Sequence, residues 1–309
     1  MRKPSPQTHQ ACRSLLQKAV RRGDVLLTRK IVSHLSEVGD ANWLKMRTAV
    51  ITFEECWPLG NNLQQTNNLI GIKDTLAYVS KAVKIKDAAG LGVLAYAHSE
   101  GDISMLSGTF EDKHIQSVSD AIRNPQKFWT WVAQNYLQDE QQLLLEASLK
   151  AYRRGGWPWD RALIQAAAYL AITDGIPIIQ LTDTAPEEVP FWVGLDKHTP
   201  QGKKALQKAA QRTGLPSRQL SWISFYLESA RVNASVESYW WSRECQWRLN
   251  QIGLNYDKAL TIWDKVRPTL IRILKEETEA LEMHLNTSRE NPINTSEDIP
   301  VQQYRLPGF

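Results

Sequence analysis

The stretch "LDKHTP" contains the pair of residues best suited to acid–base or metal chemistry in this chain. Asp196 stands two residues before His198, a spacing at which both side chains can reach one metal ion or share a proton. The same letters are also typical of a turn that leads into a helix N-cap at Thr199, followed by Pro200 in the first helical position. We favour the turn.

Glu54 and Glu55 form a second candidate pair, near the end of an apolar segment. Neighbouring residues of a helix point about 100° apart, so these two carboxylates do not share a site by themselves. A solvated helix end, or a salt bridge to a basic neighbour such as Arg47, is the better interpretation.

The sequence signatures of common enzymes are absent. We find no G-x-x-x-x-G-K-[ST], G-x-S-x-G, H-E-x-x-H or G-x-G-x-x-G pattern. The six histidines are scattered, and none pairs with another at metal-ligand spacing. We therefore predict no catalytic residue, no metal site and no cofactor, although an enzyme with a dispersed site, built from residues such as Asp196, His198 and Glu54, stays an alternative.

Basic residues cluster in three places, two of them beside aromatic residues. One is a helical stripe with four-residue spacing, another is the glycine-broken turn "AYRRGGWPW", and the third is the aromatic segment "SYWWSRECQWR". Cations that bind phosphates and aromatic rings that stack on bases are what DNA contact requires; a solvated face and core packing of the tryptophans are the alternative. The DNA-binding candidates are Arg153, Arg154, Lys203, Lys204, Lys208, Arg212, Arg243 and Arg248.

The segment "VQQYRLPGF" carries the most specific binding pattern. Gln303, Leu306 and Phe309 have the spacing Gln-x-x-Leu-x-x-Phe, which resembles the PCNA-interacting box, and Gln-x-x-Leu-Pro also resembles bacterial beta-clamp motifs. Only one aromatic residue is present where the eukaryotic box has two. The resemblance implies docking on a sliding clamp, with the glutamine at the rim of a groove and the two apolar side chains inside it.

The stretch from 24 to 60 resembles the helical C-terminal collar of the replication-associated recombination ATPases, which are relatives of the clamp loaders. The matching positions are Glu37, Gly39, Asp40, Arg47, Glu54 and Glu55. The match covers about 40 residues of the 309, and the ATPase module itself is missing. The resemblance implies self-association or contact with clamp-loader subunits, but not ATP hydrolysis.

The periodicity of apolar residues is helical along nearly the whole chain. It predicts an all-α fold of about a dozen helices, a multi-helix bundle with a disordered C-terminal tail. We divide the chain into an N-terminal helical domain (1–181), an irregular connection (182–199), a C-terminal helical region (200–285) and a flexible tail (286–309). "LGNNLQQTNNLIG" is predicted to be a loop, "IPIIQL" is the only candidate strand, and Pro268 is a candidate kink.

Composition limits the class of protein. Hydrophobic residues make up 42% of the chain and the net charge is +4, which suits a globular protein and does not by itself call for nucleic acid. The cysteines, Cys12, Cys56 and Cys245, form no C-x-x-C pair and favour a reducing, cytoplasmic compartment. We expect no signal peptide and no membrane span, and we expect most of the twelve tryptophans to fill the core.

Together these patterns predict a non-enzymatic accessory protein of DNA replication or repair. Its C-terminal peptide would dock on a sliding clamp, and its helical body would contact DNA or a replication partner. The alternative is a DNA-binding protein that acts through its Arg/Trp clusters, with the tail docked on its own body.

Overall fold

The computed structural model describes residues 6–66, 68–136, 139–182, 188–232 and 238–287. These residues form thirteen α-helices and no β-strand, which confirms the all-α class. The helices are α1 (Pro6–Arg21), α2 (Val25–Glu37), α3 (Ala41–Cys56), α4 (Leu69–Lys81), α5 (Asp87–Ser99), α6 (Asp112–Arg123), α7 (Pro125–Asn135), α8 (Asp139–Arg153), α9 (Pro158–Thr173), α10 (Pro200–Thr213), α11 (Ser217–Ser224), α12 (Tyr239–Asn250) and α13 (Tyr256–Asn286). Two 3₁₀ segments, Trp57–Gln65 and Phe191–Gly194, and a π-helical turn, Phe225–Ser229, complete the regular structure of this part of the chain.

Local sequence signals set several helix ends. The Asp24 side chain accepts a hydrogen bond from the Leu27 N–H (2.9 Å) at the start of α2. The Thr199 hydroxyl accepts one from the Gly202 N–H (3.1 Å), with Pro200 in the first helical position of α10. Gly214 ends α10 in the left-handed conformation that the lack of a Cβ makes inexpensive. The predicted cap at Thr199 is confirmed.

Two local predictions differ from the structure, and a third is untested. The first part of "LGNNLQQTNNLIG", predicted to be a loop, belongs to the 3₁₀ segment Trp57–Gln65. Pro58 suits the first turn of this segment. "IPIIQL" forms no strand; its end lies beside the end of α4, where Ala82 and Leu181 form an isolated bridge and the Val83 N–H donates to the Gln180 carbonyl (2.8 Å). α13 continues through Pro268, which cannot donate a backbone hydrogen bond, and the kink at this position stays a prediction.

Buried apolar side chains form two cores. The first core lies among α1, α2, α4, α10, α11 and α13. The second core lies among α5 to α9. α3 and α12 contribute to both: Ile51 and Leu249 enter the first core, while Phe53 and Trp247 enter the second.

The first core combines helices from both sides of the predicted domain boundary at 182–199. Residues before the boundary, in α1 and α2, pack with residues after it, in α10 and α13. The division into domains stays a prediction, and the tail from residue 288 onward lies outside the described residues.

Two glycines let α5 lie against its neighbours' backbones. A Cβ added to Gly90 would lie 2.3 Å from the Trp240 carbonyl carbon in α12. A Cβ added to Gly92 would lie 2.6 Å from the Leu163 Cα in α9. α5 therefore packs closely on both helices only because these positions carry no side chain.

Candidate nucleic-acid interface

The turn between α8 and α9 presents the exposed aromatic and basic side chains predicted from "AYRRGGWPW". Gly155 and Gly156, both with positive φ, reverse the chain after α8. The Trp157 N–H then donates to the Asp160 carboxylate (3.1 Å), which fixes the first turn of α9. Arg47 of α3 donates to the same carboxylate (2.9 Å), so the turn is attached to a third helix.

Ten of the twelve tryptophans are buried or half-buried, as predicted, and the other two stand on this turn. Trp157 is 73% exposed and Trp159 is 39% exposed. Arg153 and Arg154 precede them and are also exposed. Burial of an aromatic ring is strongly favourable, so the two exposed rings beside two exposed arginines make this turn a candidate binding surface.

A groove along α8 adjoins this turn. It has a volume of about 370 Å³ and is lined by Glu146, Leu149, Lys150, Arg153 and Arg154. A neighbouring cavity of about 300 Å³ shares three of these residues and reaches Ala49 of α3 and Leu63 of the first 3₁₀ segment. The lining of the larger groove has three cations and one carboxylate, so it favours an anion. We call Lys150, Arg153, Arg154, Trp157, Trp159 and Arg161 the α8–α9 surface.

The predicted stripe on α10 is a second basic surface. The side chains of Lys203, Lys204, Lys208 and Arg212 are all exposed. α10 packs into the first core, whereas the helices of the α8–α9 surface belong to the second core. The structure thus keeps two of the predicted clusters available to a ligand but assigns them to different parts of the fold.

The third predicted cluster, on α12, is used inside the protein. Arg243 pairs with Asp112 and donates to the Met105 carbonyl (3.0 Å). The Arg248 guanidinium lies 4.2 Å from the Trp247 ring centroid and 3.7 Å from Glu244. The positive charges of both arginines are therefore already paired inside the protein, which makes them less available to bind a phosphate.

Glu54 and Glu55 take part in an ionic cluster that sequence analysis missed. Arg21 of α1 donates to Glu55 (2.8 Å) and to Glu54 (2.7 Å). Lys86, just before α5, reaches the other oxygen of Glu55 (2.9 Å). Glu54 also makes the predicted, longer contact with Arg47 (3.8 Å), but the solvated helix end is wrong for Glu55, which is fully buried.

Burial and ion pairing compete at Glu55. Burial alone would raise the pKa of this carboxyl group, but the charges of Arg21 and Lys86 outweigh it and lower the pKa to about 2. Glu55 is therefore ionised at neutral pH, and its charge is balanced by two cations.

Asp196 and His198 form the predicted turn. The His198 N–H donates to the Asp196 side chain (2.9 Å), and the Thr199 N–H donates to the Asp196 carbonyl (2.9 Å). The structure adds a buried partner: Lys18 of α1 donates to the Asp196 carboxylate (2.6 Å). Lys18 and the pairing of Arg21 could not be found from local patterns, because their partners are far away in the sequence.

Helix α1 joins two of the residues that were considered for a dispersed enzyme site. Lys18 holds Asp196, and Gln17 donates to Glu54 (2.5 Å). Each of these two carboxylates thus accepts a hydrogen bond from a side chain of α1. In the structure, both carboxylates pair with groups of the protein itself.

The collar-like stretch, 24–60, corresponds to α2, α3 and the start of the 3₁₀ segment. Four of its six matching residues make internal polar contacts: Asp40 with Arg13, Arg47 with Asp160, and Glu54 and Glu55 with Arg21. Self-association through this stretch stays a prediction.

Comparison with known proteins gives no relative: no family model, no curated protein and no solved structure matches the chain. Within the described ranges, none of the helices combines the length and the apolar character that crossing a bilayer requires.

Proposed function

We propose that this protein is a non-enzymatic accessory protein of DNA replication or repair that binds unpaired DNA at its α8–α9 surface. The observation that carries the proposal is Trp157, 73% exposed on a fixed turn beside a groove lined by three cations. The ring can stack only on a base that is not already stacked in a duplex, which is why the proposal names unpaired DNA.

The cations and the aromatic ring have separate roles in this proposal. Lys150, Arg153 and Arg154 contact phosphates and release counterions, which gives affinity that depends on salt. Trp157 stacks on a base, which contributes about 1–3 kcal/mol and tolerates any base. The hydrogen bond to Asp160 and its link to Arg47 hold the turn in place before DNA arrives, so little order is lost on binding.

The test is the binding of a labelled oligothymidylate, followed by fluorescence anisotropy at several salt concentrations. We expect Trp157→Ala to weaken binding by about 1–3 kcal/mol and leave the salt dependence nearly unchanged. We expect Arg153→Ala with Arg154→Ala to reduce the slope of log K against log salt by about 1.4, the value for two phosphate contacts on a single strand.

The matched control is Lys204→Ala with Lys208→Ala, which removes two equally exposed cations from α10. If the control loses binding while the α8–α9 variants keep it, the interface lies on α10 and the proposal is wrong. A duplex competitor as effective as the single strand would also contradict it.

The second candidate activity is docking on a sliding clamp through Gln303, Leu306 and Phe309. These residues lie outside the described part of the chain, so the support is their spacing and its resemblance to clamp-binding peptides. Both activities are compatible in one protein, because clamp docking uses the terminal peptide and DNA binding uses the helical body.

A peptide of residues 295–309 titrated against a sliding clamp tests the docking. We expect saturable binding that Leu306→Ala with Phe309→Ala abolishes, because two apolar side chains leave the groove. Equal binding of both peptides would contradict clamp docking, and DNA binding that survives deletion of residues 300–309 would show that the two activities are separate.

A further inference from the structure

Three helices that are far apart in the sequence bring a cysteine and two histidines together. Cys12 lies on α1, His34 on α2 and His284 in the last turn of α13. The Sγ atom and one ring nitrogen of each histidine all lie within 4.8 Å of one another. Sequence spacing could not predict this group, because each helix supplies only one member.

The surroundings of the group suit a bound ion. Cys12 is fully buried, His34 is 3% exposed and His284 is half-buried. The two imidazole rings meet edge to face, with centroids 4.6 Å apart. The Nε2 atom of His284 is shielded from solvent and makes no hydrogen bond to any described residue. A buried polar atom in this state is costly unless something else pairs with it.

Burial acts in opposite directions on the ionisation of the three side chains. It lowers the pKa of His34 to about 4 and also lowers the pKa of His284, and it raises the pKa of the Cys12 thiol to about 12. Nearby, His9 contacts Asp40, whose carboxylate also accepts a hydrogen bond from Arg13 (2.7 Å).

We propose that Cys12, His34 and His284 form a binding site for a divalent transition-metal ion, and that zinc is the ion whose ligand preferences match best. One thiolate and two imidazoles are a nitrogen–sulfur set of the kind that Zn²⁺ favours. Three protein ligands leave the fourth tetrahedral position to water.

Binding requires a small contraction and the loss of one proton. Ligands of a tetrahedral zinc ion are about 3.3–3.6 Å apart, as Zn–N distances of about 2.0–2.1 Å and a Zn–S distance of about 2.3 Å require. Side-chain rotation at the half-buried His284 supplies that movement. The Sγ–H proton of Cys12 passes to solvent as the Sγ–metal bond forms, and no redox change is involved.

An ion at this site would connect the last turn of α13 to α1 and α2. The chain already has a weaker link there, because Lys30 of α2 donates to the Asn286 side chain (2.7 Å). The metal would stabilise the folded chain in proportion to the logarithm of its concentration over its dissociation constant. The proposal is independent of DNA binding and of clamp docking.

Cobalt titration of the full-length, metal-stripped protein tests the site, because tetrahedral Co²⁺ with a thiolate ligand has characteristic visible and sulfur-to-metal charge-transfer absorption. We expect one Co²⁺ per chain, displaced by Zn²⁺. Cys12→Ser should remove the charge-transfer band. His284→Gln should weaken Co²⁺ binding by more than about 100-fold. Loss of a residue that only hydrogen-bonds a metal ligand already costs up to about 100-fold, and His284 would be a ligand itself.

Cys245→Ser and His98→Gln are the matched controls, since both residues are half-buried and neither belongs to the group. They should leave the spectrum unchanged. If Cys12→Ser fails to fold because Cys12 lies in the core, His284→Gln in the last turn of α13 still decides the question. Absence of the charge-transfer band in the unaltered protein, or a spectrum unaffected by His284→Gln, would overturn the proposal.

Discussion

Glu55 carries a full negative charge in a place that water does not reach. Its two oxygens are divided between Arg21 of α1 and Lys86 before α5. An isolated buried charge is very costly, so each member of this triad is tolerated only because the others are present. The triad therefore connects α1, the end of α3 and the start of α5 through one carboxylate.

Glu55→Gln should lower the free energy of unfolding by about 3–5 kcal/mol, because it leaves the buried Lys86 without its carboxylate and Arg21 with Glu54 alone. Urea unfolding followed by circular dichroism measures the change. The control is Glu279→Gln, which removes an exposed carboxylate 3.9 Å from Lys275 and should change stability by less than about 0.5 kcal/mol. A similar, small effect of both substitutions would show that the triad contributes little.

The stability that Glu55 contributes should depend on pH in a defined direction. Its pKa in the folded protein is about 2, below the ordinary value of 4.5, so the folded state favours the ionised form. The contribution is complete above about pH 4.5 and is lost as the pH falls toward 2. The stability difference between the unaltered protein and Glu55→Gln should therefore narrow over that range in urea unfolding; a constant difference would rule out this linkage.

At the residue scale, the sequence pattern singles out Glu54, Glu55, Asp196 and His198 but not their buried partners. The turn at Asp196 follows from neighbours in sequence, so it was predictable. The buried partners Lys18, Arg21 and Lys86 come from other elements, and nothing in their own surroundings in the sequence shows that they are buried. For the same reason, the sequence does not show that Cys12, His34 and His284 lie close together in the fold.

At the element scale, periodicity and end signals predicted most of the helices. Asp24, Thr199 and Gly214 act within one turn of their own position, so the sequence contains all that determines them. Local composition predicts a loop over most of the 3₁₀ segment Trp57–Gln65, because its Asn and Gly residues are typical of loops. In the fold, Gly60 packs beside Phe53 of α3 and Leu144 of α8. The contact with α8 depends on a helix that is distant in the sequence, so local composition could not predict it.

The amphipathic pattern of α12 shows the same limit. The aromatic and basic residues of "SYWWSRECQWR" are compatible with a DNA-binding face as well as with core packing. Trp240 and Trp247 are buried in the second core, and Arg243 is held by Asp112 of α6. Only the arrangement of the neighbouring helices decides between the two interpretations. Trp157, in contrast, stays exposed because it lies on a turn and not between packed helices.

At the scale of the whole molecule, the first core makes the N-terminal and C-terminal helices interdependent. A fragment of residues 1–181 would expose the apolar faces that α1 and α2 turn toward α13 and that α1 turns toward the 3₁₀ segment Phe191–Gly194. It would also leave Lys18 without Asp196 and Arg22 without Glu228. The loss therefore includes both hydrophobic burial and charge compensation.

We expect the 1–181 fragment to lack a cooperative urea transition and to be prone to aggregation, in contrast to the full chain. Supplying the fragment 188–309 in trans should restore cooperative unfolding, because it returns both the apolar partners and the carboxylates. A sharp, reversible transition of 1–181 alone would show that the predicted domain boundary marks an independent folding unit.

The close packing of α5 has a consequence for how this protein can evolve. Any residue larger than glycine at position 90 or 92 would occupy space already filled by the backbone of α12 or α9. Backbone atoms cannot be trimmed by a second mutation, as a side chain can, so no single compensating replacement in the neighbour makes room. Relatives of this chain should therefore keep both glycines, or change the spacing of three helices in one step.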